Sequence, residues 1–286
     1  MLKKVLLIMV LILVAGTVYV GSYAFYPDVA ALKRKNPQKT SFMEYRERQW
    51  EQQGRKMKIR QRYVPLSRIS PYAVKAVIIA EDDKFWAHEG FDFDAIQKAL
   101  EKDLKKGSFK AGGSTISQQL AKNLYLTPHK NPVRKLKEAV LTYRLERNLS
   151  KRRIIELYLN YVEWGDGIFG IETAARHYFG KPASELSAME SARLAAVLPN
   201  PLKYNPLTGG SYVERRAERI YGIMVRRGIV IPEYEEIINE PPGGEGGLVN
   251  HDPQAMKELE REVEKWKKEA GTSSPDITPK AKGEAE

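Results

Sequence analysis

Two stretches decide the fold and the candidate site: EDDKFWAHEG at residues 81–90 and GGSTISQQLAKN at residues 112–123. The first places two acids ahead of Phe85, Trp86 and His88. The second opens with a glycine pair and a Ser-Thr pair, followed by two glutamines and a lysine. Glycines allow close backbone approach to a ligand, and the free N–H groups at a helix start favour an anion. The pair therefore predicts a polar site on helix ends that holds an anionic group near a carboxylate.

Both stretches lie in a long segment, residues 63–240, whose apolar residues recur at helical spacing. Helix starts are predicted at Pro71 and Pro132 and, through side-chain caps, at Ser150 and Ser187. Asp94 is expected to cap the helix that follows the first stretch. Strand-like alternation is scarce, so the predicted fold is mainly α.

Composition limits the functions that the chain could have. Its 286 residues with a hydrophobic share of 42% suffice for one domain with appendages. It contains no cysteine, which excludes disulfides and thiolate metal sites. The four histidines lack metal-ligand spacing, which argues against histidine-bound zinc. The formal net charge of +11 indicates an anionic partner: nucleic acid, a phospholipid surface or a phosphorylated ligand.

The N-terminus narrows that choice. Lys3 and Lys4 precede an uncharged run at residues 5–26, and about 20 apolar residues span a bilayer. The lysines favour a cytoplasmic start, with the rest of the chain across the membrane. A cleaved signal peptide is the alternative, although its apolar region is usually only about 7–15 residues long. In a translocated domain, phospholipid or a lipid-linked phosphate explains the positive charge better than nucleic acid does.

These patterns predict five parts of the chain. Residues 27–62 are basic and polar, which fits either a solvated linker or a segment lying on anionic headgroups. After residue 240 the glycine-rich composition and then a Ser, Pro, Lys and Glu-rich tail predict a linker and disorder. The predicted order is 1–4 cytoplasmic, 5–26 transmembrane anchor, 27–62 basic juxtamembrane linker, 63–240 folded domain, and 241–286 linker and disordered tail.

Two charged groups are candidates for chemistry. Glu81 and Asp82 end an apolar helix, where they are either functional or simply solvated or paired with Lys84. Arg134 and Glu138 are neighbours four apart on a helix, and Lys137 lies three residues from Arg134. That group is either a surface ion cluster of little energetic value or a carboxylate with two cations turned into a cleft. Spacing alone leaves both alternatives open.

Residues 63 to about 205 resemble the peptidoglycan glycosyltransferases of family 51, the lysozyme-like polymerase domain also fused in bifunctional penicillin-binding proteins. The short chain, its N-terminal anchor and the entry RYVPLSRISP at 62–71 resemble the monofunctional branch. Several motifs run in family order. They are EDDKFWAHEG (81–90), GGSTISQQLAKN (112–123), RKLKE (134–138), RRIIELYLN (152–160), WGDGIFGIETAARHYFGK (164–181) and LAAVLPNP (194–201).

The resemblance implies a lysozyme-like helical glycosyltransferase domain behind a single transmembrane helix. Its substrate would be lipid II, polymerised with inversion into β-1,4 glycan strands as undecaprenyl diphosphate leaves. Glu81 matches the general base, and an apolar surround from Phe85 and Trp86 would raise its pKa. Glu138 matches a second essential carboxylate, which organises cations or a divalent ion. The matching substrate-binding residues are Ser114, Gln118, Gln119, Lys122, Arg134 and Lys137.

The resemblance also implies surroundings for the enzyme. No organic cofactor is expected, and a divalent cation, Mg²⁺ or Mn²⁺, is left open. The expected partners are lipid II, the growing strand, the bacterial inner membrane and other cell-wall synthesis proteins, with no nucleic acid. The catalytic domain would lie on the periplasmic or outer face, with Phe109 and Leu124, Tyr125 and Leu126 dipping into the bilayer. A lytic enzyme, a membrane adaptor and a nucleic-acid binder are the rival functions.

Overall fold

The structure is a computed structural model that describes residues 2–106, 113–129 and 131–231. The predictions for Phe109 and for residues 241–286 lie outside these ranges. The described part is mostly helical, which confirms the predicted fold class. Its helices are α1 (Leu2–Gly21), α2 (Ser41–Gln52), α3 (Pro71–Glu81), α4 (Phe93–Lys106), α5 (Ile116–Tyr125), α6 (Pro132–Asn148), α7 (Lys151–Tyr161), α8 (Ile171–Phe179), α9 (Ala188–Val197) and α10 (Gly210–Arg226).

Three short strands form one small sheet beside these helices. Their bounds are β1 (Arg60–Gln61), β2 (Glu163–Gly165) and β3 (Ile168–Phe169). The central β3 pairs parallel to β1 and antiparallel to β2.

The core is built around α5 and α7. Helix α5 packs against α6, α7 and α2, while α3 packs against α9 and α10. Ile116 and Leu120 of α5 are fully buried, and so are Ile154 and Ile155 of α7. Because α7 is apolar almost all round, it lies inside the domain rather than at its surface. This packing brings together the C-terminal end of α3, the N-terminal end of α5 and the first turns of α6.

Side-chain caps fix several helix starts, as the sequence predicts for Ser150 and Ser187. Ser150 Oγ accepts from the backbone N–H of Arg153, and Ser187 forms a capping box with Glu190. The prediction for α4 is wrong by two residues. Asp92, rather than Asp94, accepts from the N–H of Ala95 at 2.9 Å, because the helix begins at Phe93. Asp94 faces outward.

The segment predicted as a juxtamembrane linker packs onto the domain instead. Val29, Met43 and Trp50 are almost completely buried, and α2 lies against α5. Arg46 of α2 makes a bidentate ion pair with Glu163, with nitrogen–oxygen distances of 2.9 and 2.6 Å. Both side chains are buried, so this pair ties residues before Tyr63 to β2. The buried apolar residues of this basic stretch therefore make it part of the folded domain, which begins before Tyr63.

Arg46→Met should lower the free energy of unfolding by about 3–5 kcal/mol, since it leaves the buried Glu163 carboxylate without its partner. Burial already raises the pKa of Glu163, against the opposing effect of Arg46. Urea unfolding of the detergent-solubilised protein measures the loss. Arg48→Met is the matched control, because Arg48 makes only an exposed pair with Glu44 and should change the free energy by under about 1 kcal/mol. Equal effects of the two changes would contradict the prediction.

Helix α1 and the turn after it form a candidate membrane span, Lys3–Ala24, with a mean hydropathy of 2.5. It is the single such helix among the described residues. Most of its apolar side chains are exposed, as a bilayer-spanning helix requires. The prediction of one apolar N-terminal helix is therefore confirmed.

Candidate active site

Glu81 lies at the end of α3 with its carboxylate in contact with two other helices. Gln119 Nε2 of α5 donates to one oxygen at 2.9 Å, and Arg216 of α10 donates to the other at 3.3 Å. The side chain is only 12% exposed. The apolar burial of α3 draws its last residue inward, so this acid is neither solvated nor paired with Lys84.

The amide of Gln119 is held in one orientation. Tyr158 of α7 donates its hydroxyl hydrogen to Gln119 Oε1 at 3.0 Å, so the amide NH₂ is directed at Glu81. Burial raises the pKa of Tyr158 well above its usual value, which keeps the hydroxyl protonated and able to donate. A chain of two hydrogen bonds thus fixes the acid from the centre of the core.

Burial is the main influence on the proton affinity of Glu81. It raises the pKa of this carboxyl above its ordinary value. The Gln119 hydrogen bond and the positive charges of Arg216 and Lys122 act in the opposite direction. A carboxylate with a raised pKa accepts a proton more readily than a solvated one does.

Residues of the two stretches EDDKFWAHEG and GGSTISQQLAKN meet around the start of α5. Asp82 Oδ2 accepts from the N–H of Ile116 at 2.9 Å, and Asp82 Oδ1 lies 2.8 Å from His88 Nε2. Thr115 caps the helix and donates its hydroxyl to the carbonyl of Gly90. The sequence predicted that the start of α5 would hold an anionic ligand. The carboxylate of Asp82, a residue of the protein itself, lies there instead. His88 also accepts from the backbone N–H of Gly90 at 3.1 Å, so it is a structural hydrogen bonder.

A cluster of cations lies around Glu138 on the first two turns of α6. Arg134 donates to one oxygen of Glu138 at 2.6 Å, and the ammonium of Lys135 lies 2.5 Å from the other. Glu138 is 3% exposed. Lys135 also approaches Ser114 Oγ at 3.4 Å. The carboxylate therefore organises two cations at the mouth of a pocket.

That pocket has a volume of about 200 Å³ and is joined to the acid through Ser114. Its polar lining is Ser114, Gln118, Gln119, Lys122, Arg134, Lys135 and Glu138. A second cavity of about 280 Å³ lies on the other side of Ser114 and includes Glu81. We call them the cation pocket and the acid pocket. Among the described residues, the Nε atom of Arg134 is buried and has no hydrogen-bond partner.

Lys122 lies close enough to both Glu81 and Glu138 to interact with their charges. Burial lowers the pKa of its ammonium, and the charge of Arg134 lowers it further. The carboxylates of Glu138 and Glu81 act in the opposite direction. These acids thus favour the charged form of Lys122, and an arriving anion would stabilise that form further.

Gln118 has a second task besides lining the cation pocket. Its side-chain oxygen accepts from the backbone N–H of Thr115 at 2.9 Å and completes the capping box of α5. It is 3% exposed. Its amide NH₂ is the part left for a ligand, so a substitution here would disturb helix and pocket together.

The structure does not bring Lys137 to the cation pocket. Its ammonium lies over the rings of Tyr19 and Tyr23, on another side of α6. Trp86 is also separate from the acid: it is 50% exposed and lines a different cavity of about 600 Å³ with Tyr143 and Arg147. The apolar lining next to Glu81 comes from Ile79 and Ala80 instead.

Comparison with known proteins shows the family of this chain. The family model described as transglycosylase matches residues 48–225 of the chain. The chain belongs to the transglycosylase family. The match begins within α2, which agrees with the packing of that helix onto the domain.

Three relatives of this transglycosylase bear the name biosynthetic peptidoglycan transglycosylase. The protein of Nitrosospira multiformis is 46% identical over 75% of this chain and 93% of its own length. That of an Azoarcus species is 51% identical over 70% and 86%, and that of Dechloromonas aromatica 53% identical over 59% and 74%. The resemblance drawn from the motifs is therefore confirmed.

The transglycosylase site holds two cations that the sequence interpretation missed. Lys135 lies three residues before Glu138, so the same helical spacing that pointed to Lys137 would have allowed it. Arg216 lies on the apolar stripe of α10 between the buried Val213 and Ile220. A charge on a buried stripe was the available signal, since such a charge needs a partner inside the fold.

A resident metal does not fit the donor set of the transglycosylase site. Both oxygens of Glu138 already accept from Arg134 and Lys135. Within the described ranges, no group of three or more His, Asp or Glu side chains is placed to hold an ion. The cation pocket fits an anion.

Proposed function

We propose that this chain is a peptidoglycan glycosyltransferase that polymerises lipid II into β-1,4 glycan strands, with inversion and release of undecaprenyl diphosphate. The observation that carries the proposal is one buried, hydrogen-bonded acid next to a pocket of three cations, with Ser114 between them. An acid for the acceptor and cations for the leaving group are what this displacement requires.

Glu81 is the proposed general base. Its carboxylate takes the proton of the acceptor sugar's 4-hydroxyl as that oxygen attacks the anomeric carbon of the donor. The O–H bond breaks towards Glu81 while the new C–O bond forms. Gln119 and Arg216 hold the carboxylate in place, so little reorganisation is needed at the moment of transfer.

Lys122, Arg134 and Lys135 are the proposed diphosphate-binding cations, with Glu138 as their organiser. The bond from the anomeric carbon to the phosphate oxygen breaks as the new glycosidic bond forms, and negative charge collects on the diphosphate. Preorganised cations stabilise that charge most in a partly dehydrated pocket. Ser114, Gln118 and Gln119 are the proposed polar contacts to the sugar and phosphate groups.

The chain is proposed to work as a single-pass protein of the bacterial inner membrane, with its catalytic domain on the periplasmic or outer face. Helix α1 supports membrane anchoring. The predicted bilayer contacts at Leu124 and Leu126 are wrong, because both side chains are buried in the core. Helix α6 exposes Val133, Leu136 and Tyr143 instead, which makes it the better candidate for the membrane surface.

A product assay separates this function from its strongest rival. Purified full-length protein in detergent is given labelled lipid II in one reaction and preformed peptidoglycan in another. Glycan strands from lipid II, with release of undecaprenyl diphosphate, support polymerisation. Soluble fragments from the preformed polymer with no strand synthesis would favour a lytic enzyme, whose chemistry needs no diphosphate pocket.

The pH dependence of polymerisation should report the proton affinity of Glu81. Arg216 lowers the pKa of this carboxyl, so Arg216→Gln should raise it. Because the base works only when deprotonated, the acidic limb of kcat/KM should move to higher pH. Arg219→Gln is the control, since Arg219 is an exposed residue of the same helix. An unchanged acidic limb in Arg216→Gln would contradict the assignment of Glu81 as base.

A further inference from the structure

Lys137 is a buried cation at the junction between α6 and the end of the membrane anchor. Its ammonium lies 3.7 Å from the ring centre of Tyr19 and 4.8 Å from that of Tyr23. The residue is only 8% exposed. The two rings meet edge to face, with centres 6.1 Å apart. A partly dehydrated cation between aromatic faces is a strong and directional contact.

Arg144, two helical turns further along α6, binds the same end of the anchor. Its guanidinium donates to the backbone carbonyls of Tyr23 and Phe25 at 2.9 and 3.1 Å. Both carbonyls lie in the short turn that follows α1, and a charged donor forms a strong hydrogen bond to each. Lys137 and Arg144 lie seven residues apart, so both face one side of α6.

The same helix carries the cation pocket on another side. Arg134, Lys135 and Glu138 occupy its first turns, and Lys137 directly precedes Glu138 in the chain. A helix is stiff over this distance, so a contact that fixes one side of α6 also fixes the other. The position of the pocket therefore follows the end of the anchor.

We propose that Lys137 and Arg144 form an anchor clamp on Tyr19, Tyr23 and Phe25, which holds the cation pocket at a set height above the bilayer. The clamp positions the enzyme for a diphosphate that is itself fixed at the membrane surface by its lipid. Lys137 is thus a positioning residue that does not touch the substrate. This inference rests on the proposed function, because it takes the anionic ligand to be lipid-linked.

The test compares two substrates with full-length protein in lipid nanodiscs. One substrate is lipid II embedded in the same disc, and the other is a lipid II analogue with a short, water-soluble chain. Lys137→Met should raise KM for the embedded substrate about tenfold, with kcat unchanged and no change for the soluble analogue. Lys137→Arg keeps a cation over the rings and should restore KM. Arg144→Gln is the second, independent variant.

A distance measurement tests the clamp independently of enzyme activity. The chain has no cysteine, so Val18→Cys on α1 and Arg147→Cys on α6 can carry the only spin labels. Lys137→Met should broaden their distance distribution, and Lys137→Arg should not. An unchanged distribution would overturn the clamp.

The two readouts separate failure of the clamp from failure of the proposed function. An equal loss with both substrates in Lys137→Met would overturn the clamp and return Lys137 to substrate binding. If the unsubstituted protein polymerises neither substrate, the proposed function fails, and the distance distribution alone then decides whether the clamp exists.

Discussion

Glu81→Gln should lower the rate of glycan polymerisation by about 10²–10⁴-fold, which is the usual contribution of a general base. The change keeps the volume of the side chain and removes its ability to take the acceptor's proton. The site around it should persist, because Asp82, Thr115 and Tyr158 hold the surrounding elements through hydrogen bonds of their own. The effect should fall on kcat more than on KM.

The measurement is the initial rate of strand formation from labelled lipid II, with the thermal unfolding temperature as a check on the fold. Glu214→Gln makes the same chemical change on α10 at an exposed position outside both pockets. It should polymerise at the original rate. Normal polymerisation by Glu81→Gln would remove the base from the mechanism and leave the acid pocket without its proposed task.

Local patterns account for much of the fold. Proline at a helix start, a Ser cap and apolar residues at helical spacing act within a few residues, so the sequence predicted the starts of α3, α6, α7 and α9. The Asp92 cap shows the limit of this reasoning. Asp92 and Asp94 are both good caps, and the local pattern alone does not choose between them.

The partners of Glu81 could not be predicted in the same way. Gln119 lies 38 residues from it in the chain, and Arg216 lies 135 residues away. No periodic pattern links positions so far apart, because α3, α5 and α10 meet only through the packing of the whole core. A buried acid can be expected from the apolar helix that ends there, but its partners cannot.

The sequence pointed to Lys137 as a residue of the cation pocket, whereas the structure places Lys135 there. The cause is similar. Both lysines are helical neighbours of the Arg134 and Glu138 pair, so spacing alone favours neither. The rotation of α6 about its own axis decides which lysine faces the pocket. That rotation follows the packing of α6 on α5, in which Leu141, Thr142 and Leu145 are buried.

Glu138→Gln should lower polymerisation by about 10²-fold or more, since it removes the carboxylate that organises the cations of the pocket. Arg134 and Lys135 would then repel each other and lose their fixed positions. Lys122 should respond as well. Glu138 raises the pKa of its ammonium, so the pKa should fall when that charge is removed.

The change in the pKa of Lys122 should be visible in the pH dependence of polymerisation. A lower pKa means that Lys122 loses its proton at a lower pH, and diphosphate binding weakens with it. The basic limb of the pH profile of kcat/KM should therefore move to lower pH in Glu138→Gln, while the acidic limb stays with Glu81. A uniform loss at every pH would contradict the coupling between Glu138 and Lys122.

A loss of stability alone could imitate the loss of activity, and Glu172 supplies the control. Like Glu138, it is 3% exposed and pairs with an arginine four residues away in its helix, in this case Arg176. It lines neither the acid pocket nor the cation pocket. Glu172→Gln should therefore lower the free energy of unfolding without moving the basic limb. Of these two buried glutamates, Glu138 is the one that lies among the pocket's cations, so its substitution and not that of Glu172 should change both the rate and its pH dependence.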